Sequence, residues 1–318
     1  MPTAPATRTG SAAAPATPAR APRRRRTPRV PYLLLLPAVL VLLLGMGYPV
    51  VWQALTSLRD FGLAQQFGAP AEFIGLGNYA ELVTDPQLLA VVARSIAFCL
   101  VAAGLTVLLG TLFALLMTAV ATPARMTLQV SLLLAWAMPV VAAMTVWIWL
   151  FDRRRGVINY TLDALGLPFE RFDWLSNPWT FFLVALIVVV WMSVPFVAFA
   201  MYAGLTQVSP EVLEAAAIDG ADGFARFRHI ILPMVRPVLS IVLLLQLIWD
   251  LRVFTQFTML QDAGSKSSDY DVLGTYIYKL ATSAQDFGMA SAFSIIVLLL
   301  TIALSWFYVR DLMKQEDQ

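Results

Sequence analysis

The sequence predicts an all-α, polytopic membrane protein, and three features point that way. Of the 318 residues, 59% are hydrophobic and only 13% are charged, and the mean hydropathy is +0.73. A soluble domain holds about half apolar and about a quarter charged residues. The apolar residues gather into six runs, each longer than the roughly 20 residues that a helix needs to cross the hydrocarbon. The charges collect between those runs, while the single cysteine, Cys99, lies inside one of them, so no disulfide framework forms within the chain.

Residues 1–29 are rich in Ala, Pro, Thr and Arg and have nothing to bury, which predicts a disordered cytoplasmic tail ahead of a membrane domain over 30–318. Arg20, Arg23, Arg24, Arg25, Arg26 and Arg29 crowd its end. Beside an apolar run such a cluster sets topology rather than binding nucleic acid. The first run, 32–52, is long enough to span, and no convincing small-residue cleavage site follows, so it reads as an uncleaved first span and not a signal peptide. Pro37 and Pro49 predict a kink or a late start, which is tolerated where neighbouring groups satisfy the freed carbonyls.

Residues 59–87 form a polar loop in which Gly75, Gly77 and Ala80 match G-x-G-x-x-A. No strand leads into this match and no βαβ unit surrounds it, so a turn followed by a short helix is the better reading than a dinucleotide site. Further runs occupy 88–121, 128–151, 179–205, 237–257 and 287–309. An even count returns the C-terminus to the side of the N-terminus. With the N-terminus inside, the inner segments hold the Arg tail, Arg125, Arg226, Arg228, Arg236, Arg310 and Lys314. The outer loops hold Arg59, Arg153, Arg154, Arg155, Arg171, Lys266 and Lys279, a smaller share that supports this orientation, although the Arg153–Arg155 triplet runs against the rule. Asn159-Tyr160-Thr161 matches a glycosylation sequon, a pattern too short to carry weight.

The remaining polar island falls between the fourth and fifth runs, over 209–233, on the cytoplasmic side. Ser209 with Pro210 and Glu211 makes a favourable helix start. Val212, Ala215, Ala216 and Ile218 give a narrow face of small and apolar residues, and Gly220 ends the helix. Asp222 starts a second short helix carrying Phe224, Phe227, Ile230 and Ile231, and Pro233 stands at the entry to the next span. The expectation is two short helices with a bend, lying along the membrane and offering small residues for close approach.

Glu214-Ala215-Ala216, Gly220 four residues after the second Ala, and then Ile230, Leu232 and Pro233 resemble the cytoplasmic signature of permease subunits in binding-protein-dependent ABC importers. The fuller form with Asp219 and Ala221 resembles the carbohydrate branch of maltose, trehalose and glycerol-3-phosphate type permeases. Phe73 to Tyr79, Trp191 to Phe196 and Phe287 to Ala292 agree, so the resemblance covers nearly everything after the tail. Many relatives follow the fifth span with a Thr-Gly-Gly-Gly-Pro-like turn, where this chain has Met259-Leu260-Gln261-Asp262-Ala263-Gly264. The resemblance implies a type I importer permease fold and a set of partners: a second homologous permease, two ATPase subunits and an extracytoplasmic solute-binding protein. The 209–233 segment would be the coupling helix seated in an ATPase groove, through Glu214, Ala215, Ala216, Asp219, Gly220, Ala221, Phe227, Ile230, Leu232 and Pro233. No G-x-x-x-x-G-K-[ST] occurs in the chain, so ATP and Mg would bind the partner ATPase subunits; no cofactor, metal or catalytic residue is expected here.

Ionisable groups inside spans are costly and usually face a cavity. Arg94, Asp250 and Arg252 are such groups, and snorkelling to the interface is an equal reading for all three. Asp250 and Arg252 are two residues apart, so on a regular helix they point different ways. Trp191, Trp249, Phe254 and Tyr276 suit stacking on sugar rings, although Trp and Tyr also belt the interface of any membrane protein. These residues around the fifth span are the substrate-path candidates. His229 lies in the coupling segment without a metal-ligand partner. The function so implied is the permease subunit of an ATP-driven carbohydrate importer, for a di- or oligosaccharide. The alternatives are an ATP-independent secondary transporter or channel, which would need inverted repeats or a buried ion relay, and an intramembrane enzyme, for which no chemistry is present.

Overall fold

The structure, a computed structural model, describes residues 30–264 and 267–316; the basic tail and Lys266 lie outside the described residues. The chain forms two compact units, Met1–Val50 and Val51–Gln318. In the first, helix α1 (Val30–Leu42) passes through a π turn (Leu43–Gly47) into α2 (Tyr48–Thr56), whose later residues belong to the second unit. Residues 33–46 are all exposed, as suits a helix solvated by lipid. The π turn has a local cause in Pro49. A proline cannot donate its backbone N–H and its ring collides with the carbonyl four residues back, and a turn widened by one residue relieves both.

The second unit begins with a two-stranded antiparallel ribbon, β1 (Arg59–Asp60), the short α3 (Leu63–Gln66) and β2 (Glu72–Phe73), with Arg59 paired to Phe73 and Asp60 to Glu72. Among the described residues this ribbon and an isolated antiparallel bridge between Gly62 and Asp286 are the departures from an all-helical expectation. Contrary to expectation a strand, β2, does lead into the glycine-rich stretch, but it belongs to an antiparallel ribbon and not to a βαβ unit, and the stretch itself is the expected turn followed by α4 (Gly77–Thr84). Then come α5 (Pro86–Ala119), α6 (Thr122–Ala137), α7 (Val140–Leu150), α8 (Val157–Ala164) and α9 (Pro178–Leu205). The segment expected from the sequence to be the coupling region is α10 (Pro210–Ile218), α11 (Gly223–Arg226) and a π turn (Phe227–Ile231), leading into α12 (Leu232–Leu251). The chain ends with α13 (Thr255–Ala263), a 3-10 turn (Ser268–Tyr270), α14 (Leu273–Thr282) and α15 (Phe287–Glu316). Asp85 and Asn177 start α5 and α9 by accepting the backbone N–H of Gln87 and Trp179, both at 2.9 Å, ahead of Pro86 and Pro178.

Among the described residues five helices are long and apolar enough to cross a membrane: Leu33–Thr56, Pro86–Ala119, Pro178–Leu205, Gly223–Leu251 and Phe287–Trp306. The run expected as a straight third span is instead the pair α6 and α7, bent by 101°. The cause is the Met138-Pro139 step. A residue before proline is kept out of the helical region, and Met138 has φ −69° and ψ 126°. Six spans result when the bent pair counts as one. The fifth span also differs from its expected start at Pro237. It runs unbroken from Gly223, so the second coupling helix is its first turns and not a separate element.

The core of the second unit is built on α5 and α9. Phe98 of α5 meets Phe257 of α13 edge-on at 5.0 Å, and Phe181 of α9 stacks on Tyr270 at 4.4 Å. A second cluster joins Leu88, Val91, Leu251, Leu273, Tyr276 and Phe293. A third holds Ala114, Val197, Met201, Leu205, Val208, Val235 and Val242, with Leu213 and Ile231 packed against it. That third cluster is what fixes the coupling region to the bundle.

Candidate functional site

The coupling region is positioned by backbone geometry that its sequence dictates. At the end of α10 the N–H of Ala221 donates to Ala216 O at 2.9 Å and that of Gly220 to Ala217 O at 3.1 Å, the bond pair of a Schellman cap. The cap needs a left-handed residue, and Gly220 supplies it at φ +82°; a β-branched side chain there would be strained. Asp222 then accepts the N–H of Ala225 at 2.7 Å and starts α11. Ser209 occupies the position before α10 but its side chain makes no capping bond, so Pro210 and Glu211 carry that helix start. The π turn ends two residues before Pro233, the same register as the turn before Pro49, and answers the same missing donor.

Within this frame one face is anchored and the other is open. Ala216 is buried, and Leu213 and Ile231 pack on the third core cluster. Glu214, Ala215, Asp219, Gly220 and Pro233 are exposed, while Ala221, Phe227, Ile230 and Leu232 are half-buried. The expected single face of Val212, Ala215, Ala216 and Ile218 is divided. Ala216 turns inward, whereas Ile218 is 86% exposed, because two residues of helix separate them by more than half a turn. Phe224 is 71% exposed. Among the described residues Glu214 and Asp219 have no side-chain hydrogen bond or ion pair. His229 is exposed, with Nδ1 3.1 Å from Ala225 O.

The substrate-path candidates do not converge. Trp249 is 47% exposed and meets Phe196 at 5.0 Å, and Phe196 in turn meets Trp136 at 6.3 Å. This row of rings crosses α12, α9 and α6 beside a cavity of about 630 Å³ lined by Gln129, Val130, Leu133, Trp136, Phe196 and Phe199. Trp191 is elsewhere, edge-on to Trp147 at 5.6 Å, and Phe254 pairs with Tyr278 at 5.4 Å. Tyr276 is buried and its hydroxyl donates to Asp85 Oδ2 at 2.8 Å, which ties α14 to the start of α5. Asp250 is 3% exposed and accepts from Gln246 Nε2 at 2.9 Å, inside the bundle. Arg252 points the other way and is exposed, as the two-residue spacing requires. Arg94 folds its Nε back onto Ala90 O at 3.2 Å.

Residues 107–310 match the model of the family described as binding-protein-dependent transport system inner membrane component. The chain belongs to this family. The permease is 38% identical over 288 residues to the diacetylchitobiose uptake system permease protein of Streptomyces coelicolor, covering 90% of this chain and 88% of that one. It is 30% identical over 288 residues to the trehalose/maltose transport system permease protein of Thermococcus litoralis, with 90% and 94% covered. A chain of a bacterial alginate ABC transporter, solved in complex with an alginate pentasaccharide-bound periplasmic protein, shares the fold at a TM-score of 0.75, with 21% identity and 88% and 92% covered. The fold class, the family and the membrane location expected from the sequence therefore hold.

Two features of the permease escaped the sequence. Phe196 is the partner of Trp249 and Trp136 that of Phe196, and no spacing links residues from three different helices. Gln246 is the partner of Asp250; the four-residue interval on one helix was the available signal.

Proposed function

We propose that this permease forms half of the translocation pathway of an ATP-driven carbohydrate importer and is driven through residues 209–233 by a separate ATPase subunit. The observation that carries the reading is the open face of that region: Ile218 and Phe224 exposed beside Glu214 and Asp219, on a frame locked by Gly220 and Asp222. Exposed apolar side chains rimmed by charge mark a protein contact. ATP and Mg are bound by the ATPase subunits; the permease supplies the surface that their closure pushes. A second homologous permease completes the pathway, and a solute-binding protein delivers cargo on the outer side. Both termini of the permease are then cytoplasmic. The smaller share of Lys and Arg assigned to the outer loops supports that orientation.

The cargo is a di- or oligosaccharide. The sugars for which two relatives are named, diacetylchitobiose and trehalose/maltose, support this class, as does the row Trp136, Phe196 and Trp249, whose faces suit sugar rings. The test is uptake of labelled disaccharides into proteoliposomes holding the permease with its co-expressed partners. Uptake should require ATP and the ATPase subunit. Gradient-driven flux through this chain alone would overturn the assignment.

A further inference from the structure

The arginine triplet that breaks the loop-charge rule sits in one of the most constrained parts of the molecule. Just after α7, Asp152 Oδ1 accepts the N–H of Arg154 at 2.9 Å and of Arg155 at 2.7 Å, and Gly156 N donates to Asp152 O at 3.0 Å. A Cβ on Gly156 would overlap Asp152 O and Leu150 O, so only glycine closes the turn. Arg153 Nε donates to Arg171 O at 3.1 Å, clasping this turn to a second loop. Asn159 reinforces the clasp. Its Nδ2 donates to Phe172 O at 2.8 Å and to Arg153 O at 3.3 Å, and its Oδ1 accepts from Trp174 Nε1 at 2.6 Å. The amide of the sequon is thus buried and consumed, which removes it as a glycan acceptor.

The clasped loops frame a cavity of about 450 Å³. Arg153, Arg154, Arg155 and Arg171 line it against two carboxylates, Asp163 and Glu170, which leaves an excess of positive charge. None of the four guanidinium groups is in a salt bridge among the described residues. Trp149 and Tyr160 also line it, 55% and 76% exposed. From Trp149 an exposed stripe of α7 runs back through Val146 and Ala142 at helical spacing, with Thr145 beside them turning its hydroxyl back onto Val141 O at 2.9 Å. A cationic cavity continuous with an exposed apolar stripe, with an indole and a phenol where they meet, has the composition of a membrane interface.

We propose that this cavity holds the phosphodiester headgroup of an anionic phospholipid, with its acyl chains along the exposed stripe of α7. Guanidinium forks match phosphate oxygens bidentately, and the hydrocarbon stripe is what a phospholipid covers and a free anion does not. A zwitterionic lipid brings a cation against the arginines and is disfavoured. In the orientation proposed above the site lies in the outer leaflet, and the bound phosphate offsets the cost of arginines on that side. The leaflet rests on that reading; lipid selectivity does not.

Native mass spectrometry of the full-length chain in mild neutral detergent tests this, with phosphatidylglycerol and phosphatidylcholine of identical acyl chains as probes. Phosphatidylglycerol should bind about tenfold more tightly, of the order expected from one or two arginines. The double substitution Arg154→Gln and Arg155→Gln leaves the backbone bonds to Asp152 in place and should bring the two lipids within about twofold of each other. The same change at Arg228, on the coupling region, should leave the preference intact. On the unaltered protein the preference should shrink as salt rises. Equal binding of the two lipids, a preference that survives the double substitution, or full displacement by inorganic phosphate overturns the proposal. So does a double variant that keeps its lipid preference but loses affinity for an acidic solute-binding partner.

Discussion

The regions on either side of α12 use their polar residues in opposite ways. Beyond its C-terminal end, over 253–286, nearly every buried polar group is consumed within the chain. Lys279 Nζ reaches Asp271 Oδ1 at 2.7 Å, and the same carboxylate accepts from Thr275 at 3.2 Å and Gln261 at 3.3 Å. Tyr276 reaches back to Asp85, and the backbone N–H of Leu273 donates to Ser95 Oγ at 2.9 Å. Before its N-terminal end, over 209–233, Glu214 and Asp219 find no partner among the described residues, and Ile218 and Phe224 lie open. Buried polar groups must be paired to avoid desolvation cost, whereas a docking surface keeps its groups free for another chain. The first region is therefore finished by folding, whereas the second leaves both charged and apolar side chains exposed at its surface.

Substitutions can break that contrast. The largest effect is expected from Glu214→Lys, which should leave the thermal unfolding midpoint unchanged yet reduce ATP-dependent uptake to background. Gly220→Val should do the same to transport, because a β-branched residue cannot hold the left-handed cap. Normal uptake by either variant would show that the open face is not a coupling surface. Next in size, Lys279→Met should cost about 3 kcal/mol of stability, since it leaves the buried Asp271 carboxylate without its cation; the midpoint should fall while coupling in the surviving folded protein is unaltered. Tyr276→Phe should cost about 1 kcal/mol through the bond to Asp85, with disaccharide affinity unchanged if the residue is a tie and not a ligand.

The smallest effect concerns pH. The N–H groups of Arg155 and Arg154 hold the Asp152 carboxyl below its ordinary 3.8. A depressed native value stabilises the fold above the ordinary value, and that contribution is lost as pH falls through the native one. Acid unfolding of the wild type should therefore carry a small extra loss below about pH 4 that Asp152→Asn removes. Identical acid curves would show that the turn does not depend on this charge.

Much of this was legible in the residues. The apolar runs gave the spans, and Gly220, Asp222 and Pro233 gave the frame of the coupling region, because caps and prolines act through their nearest backbone neighbours. The bend between α6 and α7 was also written locally, in Met138-Pro139, although run length alone hid it. The substrate-path candidates fared differently. Trp191, Phe254 and Tyr276 have side chains that suit a sugar ring, yet each pairs with a different ring: Trp147, Tyr278 and Phe293. Trp249 alone joins an exposed aromatic row, with partners from α6 and α9.

What the sequence determined by itself is the membrane location, the class and the local frame of the 209–233 segment, since hydropathy, capping and signature spacing all depend on residues a few positions apart. What the tertiary structure decided is which polar side chains remain available. Asn159 is consumed by Trp174 and Phe172, Tyr276 by Asp85, Asp271 by Lys279 and Arg153 by Arg171 O, while Glu214, Arg154 and Arg155 make no side-chain bond among the described residues. The physical reason is that a hydrogen-bond partner is fixed by distance in space, and helices packed side by side bring together residues that the chain keeps up to nearly two hundred positions apart.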